Sequence, residues 1–158
     1  MTGRWSPVER APDDSVRQVR GAANCINTWR WFLASIALVV AATFPWTRVD
    51  HDHWARVAWV PFLTGIISVG DLVVNVLLYL PLGWFVPGAR PRPRLIGALA
   101  SALVLSAAME TAQVWSHLRY PSATDTAMNL AGAAAGAYWS NRRRRRGHPP
   151  VAPDVPPS

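Results

Sequence analysis

Two sets of polar residues interrupt otherwise apolar stretches of this chain. The first is Asp71, Asn75 and the Pro81-Leu82-Gly83 step; the second is Glu110, Gln113, Arg119, Asp125, Asn129, Gly132 and Gly136. Carboxylates and amides are costly in hydrocarbon and persist there when a buried partner, a water-filled cavity or a ligand compensates them. Helical spacing aligns each set. Asp71 and Asn75 are four apart, Glu110 and Gln113 three apart, and Asp125, Asn129, Gly132 and Gly136 follow at intervals of four, three and four. Three helices would then each present a polar stripe, and two kinds of chemistry are open to them. The stripes can form a binding pocket, with Arg119 holding an anionic group such as a phosphate. Alternatively Glu110, its carboxyl pKa raised by burial, serves as general acid or base of an intramembrane enzyme acting on a lipid or phosphate substrate. No Ser-His pair or thiol nucleophile accompanies it, which favours binding over catalysis. Structural roles compete with both: Asp71 and Asp125 stand where N-caps would, Ser122 could cap in place of Asp125, and Glu110 can pair with Arg119.

The elements that must position these residues are four apolar segments: Trp31 to Thr47, Leu72 to Ala89, Leu95 to Trp115 and Thr126 to Ser140. About 20 residues cross a hydrocarbon core of about 30 Å as a helix, so the segments are near the lower limit for spanning. They lack strand alternation, which leaves helices as the way to satisfy their backbone in lipid. The composition agrees, with 51% hydrophobic and 16% charged residues in a 158-residue chain. The expectation is an all-α polytopic membrane bundle of four transmembrane helices.

Arginine placement tests this independently, because short cytoplasmic loops are enriched in basic residues. With both termini in the cytoplasm, every arginine except Arg48, Arg56 and Arg119 falls on the cytoplasmic side. Trp46 and Trp115 then mark outer helix ends, and Trp29, Trp84 and Trp139 inner ends. The same topology brings the three stripes to one depth, facing the cell exterior. It also accounts for the pI near 11.2 and for Arg142 to Arg146, which read as a stop-transfer cluster at anionic lipid headgroups with no nucleic-acid partner.

The remaining segments frame this domain. Residues 1–28 form a polar cytoplasmic arm interrupted by Pro7 and Pro12, expected to be disordered; 29–141 form the transmembrane domain; 142–158 form a basic, then Pro-rich, disordered tail. Val57 to Gly70 is too short for a comfortable span and reads as an interfacial or re-entrant segment between the first two helices. Asp50, His51, Asp52 and His53 read as a solvated loop, because adjacent side chains diverge. No metal and no cofactor are expected, and the lone Cys25 rules out an internal disulfide. Gly132 and Gly136 permit close helix approach, within one bundle or in a homodimer through the fourth helix. Pro81 and Gly83 belong to the same packing, Pro81 depriving the Leu77 carbonyl of its helical donor.

Asn75 through Pro81-Leu82-Gly83, then Ser106-Ala-Ala-Met-Glu110-Thr-Ala-Gln113, Arg119, Asp125, Asn129, Gly132 and Gly136, resemble the VanZ-like family of bacterial membrane proteins in order and spacing. The resemblance covers about residues 71–139. It implies a multi-pass protein of the cell envelope, named after a member linked to teicoplanin resistance, and implies no established reaction. Motif positions carry over onto Asp71, Asn75, Glu110, Gln113, Arg119, Asp125 and Asn129. Ser122 replaces an acidic residue often present before the motif aspartate, which weakens any two-carboxylate chemistry in that loop. The function expected is binding or modulation of a lipid-linked or cell-wall component, with membrane lipids and such a component, or a glycopeptide itself, as partners.

Overall fold

A computed structural model describes residues 14–47, 52, 54–62, 68–116 and 121–146, with side chains from Cys25 onward. Among these residues the chain is all-α. It forms α1 (Asp14–Thr43), a short 3-10 turn (Trp54–Arg56), α2 (Val69–Phe85), α3 (Pro91–Gln113) and α4 (Ala123–Arg146), with no strand beyond a single bridge between Ala58 and Ser122.

Helix ends depart from the apolar runs for local reasons. Pro91 opens α3 at its first turn, where a missing N–H is harmless, so the helix takes in Arg92 and Arg94, expected in a loop. α1 begins at Asp14, so residues 14–28 extend the helix where a disordered arm was expected. No proline follows Pro12 in that stretch to interrupt the helix. Arg142 to Arg146 likewise continue α4, where cations complement the carbonyl end. Residues 1–13 and 147–158 lie outside the described residues.

Two helices, Cys25–Thr43 and Pro91–Gln113, are long and apolar enough to cross a membrane. α2 is apolar but has 17 residues, about 26 Å, and α4 is diluted by its polar first turn and five arginines. The sides of the molecule are apolar, while its interior sets polar groups among the apolar core of Phe32, Val39, Leu82, Ala98, Ala102, Ala133 and Ala137. Leu33, Leu38, Val73, Leu77, Ile96, Leu103 and Val104 are exposed, whereas Asn75, Arg94, Ser106, Gln113 and Asn129 are buried. That inversion of the soluble pattern suits a lipid surround.

The most extensive packing is between α2 and α4. A Cβ on Gly132 would strike the carbonyl of Val76, one on Gly136 that of Leu80, and one on Gly83 that of Ala133. The pairs Val76–Gly132 and Leu80–Gly136 ascend together along both helices, which therefore run parallel at backbone contact. The small-residue face of α4 is thus filled within the chain by α2. α3 runs antiparallel to α4, Ser106 meeting Asn129 near one end and Arg94 meeting Ser140 near the other.

The segment after the 3-10 turn docks across the start of α4. Ala58 N–H donates to the Pro121 carbonyl at 3.0 Å, Ala123 N–H to the Ala58 carbonyl at 2.9 Å, and Phe62 N–H to Thr124 Oγ1 at 2.9 Å. Residues 57–62 are therefore a strap over the bundle end, with Trp59 and Phe62 exposed.

Candidate functional site

α2 and α4 start, and α3 ends, at the same end of the bundle. Each parallel helix opens with the same pattern, Ser68-Val-Gly-Asp71 followed by Asn75 and Ser122-Ala-Thr-Asp125 followed by Asn129. The serines occupy the N-cap positions, and Ser122 Oγ accepts from Thr124 N–H at 3.2 Å, while Ser68 makes no side-chain cap bond. Asp71 and Asp125 accordingly sit in the first helical turn rather than at the cap. Asp71 is exposed and Asp125 half-buried.

One turn deeper the amides are buried, Asn75 to 3% exposure and Asn129 to 4%. Because Gly132 meets Val76, the two amides lie within about a helical turn of each other along the axis. Asn129 Nδ2 donates to Ser106 Oγ at 2.9 Å, and Ser106 Oγ in turn reaches Thr126 Oγ1 at 3.1 Å. Tyr79, one turn after Asn75, brings its hydroxyl beside Ser106 without a hydrogen bond of acceptable geometry. Among the described residues, three buried polar side-chain atoms are left without a partner: Asn75 Nδ2, the Tyr79 hydroxyl and Asn129 Oδ1. They comprise a donor, a donor-acceptor and an acceptor.

Nearer the end, one oxygen of half-buried Glu110 accepts the Ser122 N–H at 2.7 Å, tying the last turns of α3 to the start of α4. Glu110 also lies within electrostatic reach of the Tyr79 hydroxyl. Gln113 is buried and donates from Nε2 to the Thr43 carbonyl at 3.1 Å, joining α3 to the end of α1. It borders a cavity of about 210 Å³ lined also by Thr43, Phe44, Trp46 and Ser116. Arg119 lies outside the described residues, so its pairing with Glu110 does too. No grouping of metal-ligating side chains occurs among the described residues.

Residues 22–141 match the VanZ/LLP1 family. The chain belongs to that family. The matched region takes in α2 and α3 whole and most of α1 and α4, and VanZ/LLP1 proteins are membrane-associated. No curated protein and no solved structure matches the chain.

The VanZ/LLP1 match ends at Asn141, which belongs to a second buried polar group at the opposite end of the bundle. Arg94, 1% exposed, donates through Nε to the Val86 carbonyl at 3.2 Å, through one terminal nitrogen to Asn141 Oδ1 at 2.8 Å, and through the other to the Trp84 carbonyl at 3.1 Å and Ser140 Oγ at 2.9 Å. No carboxylate is among these partners. The cation instead takes the free carbonyls at the C-terminal end of α2, where the helix dipole is negative, and pins them to α4. Gly88 permits this. Its φ of 140° lies in the left-handed region, and a Cβ there would fall 2.6 Å from Arg94 Cγ.

Sequence reasoning missed Arg94, Tyr79, Ser106 and Thr126. A signal existed for two of them, since Tyr79 is four residues after Asn75 and Ser106 four before Glu110. Both continue the stripes already recognised.

Proposed function

We propose that this VanZ/LLP1 chain spans the bacterial membrane four times with both termini in the cytoplasm, and binds a lipid-linked or cell-wall component through an outward-facing polar site. Through that component it alters susceptibility to teicoplanin-type glycopeptides. The observation that carries the reading is the trio of unpartnered buried atoms on Asn75, Tyr79 and Asn129. Leaving such atoms unpaired costs about 1–3 kcal/mol each, a cost that hydrogen-bonding groups of a ligand would offset. The topology is supported by the arginine distribution and by the tryptophans exposed toward both ends, Trp46, Trp54 and Trp115 at one and Trp29 and Trp139 at the other. The cavity beside Gln113 opens at the same end as the polar cluster and gives that end room for an occupant.

Deleting the gene and profiling envelope stresses tests this reading. The expected result is a shift in teicoplanin susceptibility, with agents acting inside the cell unaffected. An unchanged profile across glycopeptides and other envelope stresses would remove the envelope function.

A further inference from the structure

At the end opposite the polar cluster, the start of α3 and the end of α4 enclose a cleft of about 480 Å³, lined by Arg92, Leu95, Tyr138, Asn141, Arg142 and Arg145. On α4, the spacing of Tyr138, Asn141, Arg142 and Arg145 puts all four on one helix face. Asn141 fixes the floor: its Oδ1 accepts from buried Arg94 at 2.8 Å and its Nδ2 reaches the Pro91 carbonyl at 3.4 Å, so both helices are held there. The three lining arginines are exposed, no lining residue is acidic, and Leu95 and Tyr138 form an apolar wall beside them. Arg143 and Arg144 belong elsewhere. They line a separate recess with Trp84 and Ser140, where the Arg143 guanidinium lies 6.0 Å from the Trp84 ring.

Guanidinium groups match phosphate oxygens, and an apolar wall beside them asks for a ligand carrying hydrocarbon next to its anion. A free phosphate would satisfy the arginines and leave Leu95 and Tyr138 uncovered. We propose that this cleft is a binding site for an anionic phospholipid, its phosphate among Arg92, Arg142 and Arg145 and the start of an acyl chain along Leu95 and Tyr138. The site rests on the membrane placement proposed above.

The test uses the full chain in phosphatidylcholine nanodiscs titrated with phosphatidylglycerol, with retained lipid measured by native mass spectrometry. Arg142→Gln/Arg145→Gln is compared with Arg143→Gln/Arg144→Gln, which removes equal charge from the same helix. A juxtamembrane arginine contributes about fivefold in affinity for an anionic surface, so both pairs are expected to lose that general contribution, and the first pair, which also bonds the phosphate, to lose about tenfold or more beyond the second. Equal losses in both pairs, or no loss in the first, would overturn the site and leave only general tail charge. Displacement of the lipid by excess inorganic phosphate would also overturn it, in favour of a free-anion site. Failure to insert into nanodiscs removes the membrane placement itself, whereas insertion without a preference for phosphatidylglycerol removes this inference alone.

Discussion

Gly136→Leu is expected to lower stability by roughly 3 kcal/mol or more and to reduce accumulation of folded protein sharply. A Cβ at this position already overlaps the Leu80 carbonyl and approaches the Trp84 nitrogen to 2.8 Å, and both are backbone atoms that no rotamer change can move. α2 and α4 would have to separate along their most extensive interface, taking the Asn129 side of the polar cluster away from Asn75. Overpacking of this kind costs roughly 3 kcal/mol or more, a large part of the stability of a small domain. Ala131→Leu, on the exposed face of the same helix, is expected to change stability by less than about 0.5 kcal/mol. Thermal unfolding in detergent, repeated over a range of protein concentrations, checks this. Because Gly136 packs against its own chain, the loss should not depend on concentration, as it would if the glycine face joined two copies.

Arg94→Gln is expected to cost roughly 2–5 kcal/mol, because the Trp84 and Val86 carbonyls lose their shared donor in a buried setting. Arg94→Lys should recover little of this. An ammonium is a point donor and cannot reach the carbonyls of α2 and the side chains of Ser140 and Asn141 together, which the flat guanidinium does. Arg92→Gln supplies the contrast two residues away, since Arg92 is exposed and its loss should leave unfolding unchanged within about 0.5 kcal/mol. Comparable losses for Arg92→Gln and Arg94→Gln would mean that the charge of the basic end, rather than the clamp, holds α2 to α4.

Arg94 also marks the limit of what could be read from the sequence. Beside Arg90 and Arg92 it looks like another loop cation, and nothing local says that its neighbours in space are the last carbonyls of α2. The apolar runs were legible because lipid-facing residues must be apolar, and all four fall largely within α1, α2, α3 and α4. The ends were less so. Proline and capping serine extend α3 and α4 beyond the hydrophobic stretch, and a polar sequence extends α1 backward to Asp14. At the candidate site, spacing alone put Asn75, Glu110, Gln113 and Asn129 on helix faces. Their partners were hidden for a chemical reason: Ser106 and Thr126 are hydroxyl residues that any apolar helix can carry by bonding its own carbonyls. Thr43 and Thr111 do so here. Only the packing of α3 against α4 turns Ser106 and Thr126 into a network with Asn129.

The reading of the polar cluster as a ligand site separates stability from function at one residue. Asn75→Leu removes the unpaired Nδ2 from a buried position and fills much the same volume with apolar atoms. The decisive measurement is the unfolding temperature of this variant alongside the teicoplanin susceptibility of cells that carry it. A ligand site predicts a temperature equal to or above that of the parent, with susceptibility moved to that of the deletion strain. A lower unfolding temperature, or parental susceptibility in a stable variant, would contradict it and leave Asn75 as part of the packing of α2.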